Sequence, residues 1–213
     1  MLEWMTLVLL VPVVIVPIVL LFGFAGCQLV FQAEPDVLDN VSIFDITLDD
    51  EKQRTNCCLI VRIEPERLGD TPGTLMRITV ARPVGGDLNL RSMFVSHAAD
   101  SGDPYDSATT PVLVVEDQLV SPSPDPNAQF LAFDPIAFAF QPAKPLLISM
   151  NIGSSGFIRR AANVPPSEGR AFLANGLGPE AEIADRSTND VVPPTPLPYD
   201  EESSIYLIVK IEV

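Results

Sequence analysis

The sequence predicts an all-β sandwich carried on a single N-terminal transmembrane helix. An uncharged apolar run opens the chain. Behind it lie short apolar or alternating runs punctuated by Gly, Pro, Asp and Asn, and no long helical period recurs.

The chain has 213 residues, 47% of them hydrophobic. That suffices for one domain of ordinary size plus an anchor. From Trp4 to Ala33 no residue is charged. The run WMTLVLLVPVVIVPIVLLFGFA, residues 4–25, is long enough to cross a hydrocarbon core, which takes about 20 helical residues. It is apolar all round, whereas a soluble helix shows a polar face. Pro12 and Pro17 each remove a backbone hydrogen bond and kink it, which membranes tolerate. Trp4 suits an interface. A basic leader is missing, and the run exceeds the usual about 7–15 residues of a cleaved signal peptide. The segment therefore reads as an uncleaved signal anchor.

The stretch Leu21-Phe22-Gly23-Phe24-Ala25-Gly26-Cys27 resembles a bacterial lipobox. That resemblance implies the alternative, a lipoprotein in which Cys27 is lipidated and becomes the N-terminus. Phe24 stands where the motif has an aliphatic residue. Both readings place the protein at a membrane. The first basic residue is Lys52, and the flank after the helix carries Glu34, Asp36 and Asp39. The favoured topology is single-pass, with the N-terminus inside and the β-domain extracytoplasmic. The expected division is anchor or lipoprotein-like signal 1–31, linker 32–40 and β-sandwich 41–213.

Lys and Arg number 13 against 28 Asp and Glu. Such an acidic surface repels phosphate backbones, which excludes nucleic acid as a partner, and it suits cations or neutral ligands such as sugars.

The strand-like runs are 41–48, 57–63, 74–82, 88–96, 111–117, 129–142, 145–153 and 205–213. In the run from Thr74, Met76, Ile78 and Val80 are expected to face the core, with Arg77 and Thr79 facing away. In the last run Ile205, Leu207, Val209 and Ile211 are expected inward, and Tyr206, Lys210 and Glu212 outward. Most of the 21 prolines fall between the runs, as turn residues do. The segment 178–187 is a weak candidate for a short helix. VVPPTPLPYDEE (191–202) reads as a stiff crossover before the final strand.

Within Leu75–Ile158 a series of short motifs recurs in a familiar order. They are Met76-Arg77-Ile78-Thr79-Val80, Gly86-Asp87-Leu88-Asn89-Leu90 and Thr110-Pro111-Val112, then Phe133-Asp134-Pro135-Ile136-Ala137-Phe138 and Pro145-Leu146-Leu147-Ile148-Ser149-Met150. This pattern resembles the jelly-roll accessory domain that precedes the catalytic domain in some bacterial SGNH/GDSL hydrolases. Related stand-alone domains occur in bacterial surface and phage-associated proteins. The resemblance covers under half the chain. It implies a jelly-roll-like sandwich and carries over no catalysis.

The chemistry agrees with that. An SGNH enzyme needs a Gly-Asp-Ser block and a late Asp-x-x-His; here Gly69-Asp70, Gly86-Asp87 and Gly102-Asp103 are followed by Thr, Leu and Pro. A Ser-His-Asp triad would have to use His97, the one histidine, which is expected to be structural. No P-loop, dinucleotide fingerprint or HExxH occurs. Of the 3 cysteines, Cys57 and Cys58 are adjacent, so on a strand they point to opposite faces and one enters the core. A vicinal disulfide is the alternative. Asp100, Asp103 and Asp106 lie on a Gly/Pro loop and are the candidate ligands for calcium. The competing reading is a turn in which Asp side chains cap backbone N–H groups. With no catalytic constellation, the expected role is a binding or structural module for a carbohydrate or protein ligand. The alternatives are a subunit of a membrane, filament or virion assembly, or a surface hydrolase of unrecognised type.

Overall fold

The expected alternation from Thr74 is realised: Met76, Ile78 and Val80 are buried, and Arg77 and Thr79 are half-exposed. The structure, a computed structural model, describes residues 38–176, 181–186 and 199–213. The expected anchor 1–31, the linker as far as 37, Cys27 and most of the proline-rich stretch lie outside the described residues. The fold is all-β, 57% strand and 3% helix, and no described helix is long and apolar enough to cross a membrane.

Along the chain the strands are β1 (Ser42–Asp45), β2 (Asp50–Gln53), β3 (Cys57–Ile63), β4 (Gly73–Ala81) and β5 (Val84–His97). Then come β6 (Val112–Val120), β7 (Phe130–Ala132), β8 (Ile136–Phe140), β9 (Leu146–Ala162) and β10 (Gly169–Asn175). The chain ends in β11 (Asp200–Glu202), β12 (Ser204–Tyr206) and β13 (Ile208–Glu212). A five-stranded sheet runs β1-β13-β4-β7, with β8 also on β4. An eight-stranded sheet runs β11-β10-β3-β9-β5-β6, with β2 and β12 added to β9. Strand β9 is the spine of the larger sheet. Its first half pairs with β3 and β5, and its second half with β2 and β12, all antiparallel.

The two sheets pack over one apolar core. Met76, Ile78 and Val80 belong to it from the smaller sheet, and Leu59, Val61, Leu90, Met93 and Met150 from the larger. Such alternation is what one buried face requires. The larger sheet is covered on its other face too, by a second cluster of Cys58, Ile60, Leu147, Phe172, Ala98 and Ala181. This explains why CCLIV in β3 reads as a continuous apolar run before Arg62: both faces are buried there. Cys57 joins the main cluster and Cys58 the second, so both are core residues on opposite faces, and no disulfide joins them. Burial pushes the Cys57 thiol up to about 11.

The final run departs from simple alternation. Ile205, Tyr206, Leu207 and Ile208 are all buried. The chain changes sheets here: β12 pairs with β9 of the larger sheet, and β13 pairs with β4 of the smaller. Leu207 is the crossing point, with φ +61°. Its N–H donates to Arg159 O at 3.0 Å, and its carbonyl accepts Ala81 N–H at 2.7 Å, so it bonds to both sheets. The run 129–142 is likewise two strands, β7 and β8. Residues 181–186 of the helix candidate contain no α-helical element.

Candidate functional site

His97 ends β5, where the chain leaves the sheet in a loop closed by a bridge between Ala98 and Ser107. Three elements meet there: the end of β5, the start of β6, and β8 with the turn after it. They enclose a cleft of about 540 Å³ lined by His97, Asp100, Thr109, Phe138, Gln141 and Lys144 among others. Across the cleft Lys144 Nζ pairs with Asp100 at 3.2 Å. Thr109 and Gln141 are exposed polar residues on its wall.

The imidazole of His97 is 8% exposed and packs against Phe138 and Phe140, with ring centroids 5.1 and 5.9 Å away. Gln141 donates its backbone N–H to His97 Nε2 at 3.0 Å. Ala139 O lies 3.3 Å from the same nitrogen. The fixed Gln141 N–H at the shorter distance makes Nε2 the acceptor, and Nδ1 is buried without a hydrogen-bond partner among the described residues. Burial holds its pKa below the ordinary histidine value, more than the nearby carbonyls of Ala139 and Pro145 raise it. Geometrically His97 fastens β8 and the turn after it to β5.

The three loop aspartates do different things. Asp100 is exposed and pairs with Lys144. Asp106 is buried and accepts two backbone N–H groups, Asp103 N on Oδ2 at 2.8 Å and Arg186 N on Oδ1 at 2.9 Å. It thus performs the N–H capping role, buried rather than solvated. Gly102 sits at φ +100°, and a Cβ there would lie 2.8 Å from Asp106 Oδ2, so the turn around this carboxylate requires glycine. Asp103 hydrogen-bonds the Tyr105 side chain; burial first, then this carboxylate, raises the Tyr105 pKa. Among the described residues no three metal-ligating side chains converge.

Two clusters were invisible in the sequence. Arg186, 1% exposed, reaches Tyr105 O, Ser107 Oγ at 2.9 Å and Ser149 Oγ at 3.3 Å. It pins the 181–186 segment over the second apolar cluster. Elsewhere Lys52, Arg54 and Arg160 gather around Glu202 and Tyr206. The signal that could have exposed either is long-range contact, which spacing along the chain does not encode.

No protein-family model matches the chain, and no curated protein matches its sequence.

Proposed function

We propose that the protein is a membrane-anchored extracytoplasmic binding module that holds a neutral carbohydrate in the cleft beside His97. Residues 4–25 serve as the anchor, and the domain is jelly-roll-like in the manner of the SGNH-associated accessory domains. The observation that carries the reading is the cleft itself. It is about 540 Å³, within the range of small-ligand sites, and combines apolar walls with Thr109, Gln141 and an Asp100–Lys144 pair. Hydroxyl and amide groups beside an opposed charge pair suit polyhydroxylated ligands without net charge. The cleft's two charges, Asp100 and Lys144, pair with each other, which leaves no net local charge for an anion to meet. A binding role rather than catalysis is supported by the engaged Nε2 of His97.

The test is a titration of the full chain, in neutral detergent, with a panel of neutral oligosaccharides followed by amide NMR shifts. Saturable shifts at Thr109, Gln141 and Lys144, lost in Gln141→Ala together with Thr109→Ala, are the expected result. Binding that ignores these substitutions would place the site elsewhere.

A second reading, a subunit of a larger assembly, is favoured by β6. Among the described residues it ends the eight-stranded sheet; it is 9 residues long and exposes Leu113 at 44% and Leu119 at 56%. Long apolar edge strands invite strand addition. Concentration-dependent oligomers of the full chain, abolished by Val114→Pro, would mark this role.

A further inference from the structure

Away from the cleft, a recess of about 310 Å³ opens on the five-stranded sheet. Its walls are largely apolar: Ile46 and Leu48 from the chain after β1, Ala81 of β4, Phe130 of β7 and Val209 of β13. The Phe130 ring is 54% exposed. Thr47 and Thr79 add hydroxyls, and three charged residues complete the lining: Asp45, Lys210 and Arg159. Lys210 is already paired, with Glu212 Oε1 at 2.6 Å. Arg159 is not. Its Nη2 donates to the neutral Gln129 Oε1 at 3.1 Å, and its Nε is buried without a hydrogen-bond partner among the described residues. Among the described residues Arg159 has no ion-pair partner, and Asp45, which shares the recess, makes no ion pair with it. The backbone of Arg159 is held in place, because its carbonyl accepts the Leu207 N–H where the chain crosses between sheets.

A half-buried guanidinium with donors to spare, in a chain so rich in carboxylates, is a costly arrangement unless something completes it. The fitting complement is a carboxylate, which takes two parallel N–H bonds from guanidinium. The apolar walls and the open Phe130 ring ask for an apolar body attached to it.

We propose that this recess binds a small organic acid with an apolar body, its carboxylate on Arg159 and its body against Phe130, Ile46 and Leu48. The recess shares no lining residue with the cleft beside His97, so the two sites stand or fall separately.

The experiment uses the full chain in neutral detergent and two isosteric probes, 4-phenylbutyrate and 4-phenylbutyramide, followed by amide NMR shifts. The acid should give saturable shifts at Thr47, Leu48 and Val209 and bind about tenfold more tightly than the amide, the worth of a charge-assisted pair. Arg159→Gln should erase that preference while leaving the spectrum of the remaining domain unchanged. Arg159→Lys should retain part of it. Equal binding of acid and amide by the native chain would overturn the proposal. So would an acid preference that survives Arg159→Gln, or no saturable shift at these amides up to about 10 mM probe.

Discussion

Tyr206 donates its phenolic hydroxyl to Glu202 Oε2, joining β12 to β11 inside a ring of cations. Lys52 and Arg54 reach the other oxygen, Oε1. Arg160 Nη1 stands 3.5 Å from Oε2, and its Nη2 pairs with Asp50 at 2.6 Å. The guanidinium carbons of Arg54 and Arg160 lie 5.3 and 5.8 Å from the Tyr206 ring centroid. One carboxylate thus gathers cations that reach it from β2, the residue just past it, and β9, and Asp50 shares the charge of the last.

Tyr206→Phe keeps the ring and the guanidinium groups over it, and removes the hydroxyl with its bond to Glu202 and the bonds it accepts from Arg54 and Arg160. A hydrogen bond to a charged group is worth about 1.5–3 kcal/mol, and half-exposure of the surrounding groups takes it towards the lower end. The expected loss is about 1–2 kcal/mol, seen as a midpoint lowered by about 2–8 °C in thermal unfolding. An unchanged midpoint would mean that the bond carries no net stability.

Acid should weaken the fold in two separate windows. His97 has a folded pKa below its ordinary 6.5. The native state therefore binds fewer protons than the unfolded chain, and its contribution, full above 6.5, falls away as pH drops below that value. For Glu202, burial alone would raise the pKa, but the bonds from Tyr206, Lys52 and Arg54 outweigh it and lower it to about 2 from 4.5. That contribution is present above 4.5 and is lost as pH falls towards 2; discounted for exposure it amounts to about 1–2 kcal/mol. Urea unfolding from pH 7.5 to 3 should show both declines. His97→Gln should flatten only the upper one, and Glu202→Gln only the lower.

Asp106 offers a cleaner discrimination. Both of its oxygens already accept backbone N–H groups, from Asp103 and Arg186. Asp106→Asn keeps the shape but turns one acceptor into a donor facing an N–H, so it should cost about 1–3 kcal/mol. Millimolar calcium should leave the native midpoint within about a degree, since a cation would have to displace two formed bonds. A calcium-dependent rise that vanishes in Asp100→Asn or Asp103→Asn would restore the cation site.

What the sequence disclosed depended on how each strand is covered. The span of β3 was readable to the residue, because a run interrupted only by Arg62 is bounded by the turn residue Asn56 and by Glu64-Pro65. The alternation of β4 was readable for the opposite reason, one buried face. Strand β2, DEKQ, has no apolar residue at all; it pairs with β9 through its backbone and the Asp50–Arg160 contact. Strand β10 buries Phe172 in one cluster and Leu173 in the other, so GRAFLAN shows no period of two. His97 was singled out by being alone of its type, yet its partner Gln141 lies 44 positions away. Arg186 meets Asp106 across 80 positions, with nothing local to mark either.

The last prediction concerns the anchor, which rests on the sequence alone. The proposed anchor is the uncharged run 4–33, longer than the about 20 helical residues that a hydrocarbon core takes. Removing residues 1–31 should therefore release the domain from membranes. The remaining chain should fold, because the strands and both apolar clusters begin beyond the cut. The truncated protein is expected in the supernatant after a carbonate wash, with a far-ultraviolet spectrum dominated by β-structure. Sedimentation with the membrane fraction would put the attachment in the domain itself. A mass spectrum of the mature full-length protein separates the two forms of anchoring. An intact Met1 sequence marks the uncleaved helix, and a diacylglyceryl Cys27 at the N-terminus marks the lipoprotein. The mass difference is large, because lipid processing would also delete residues 1–26.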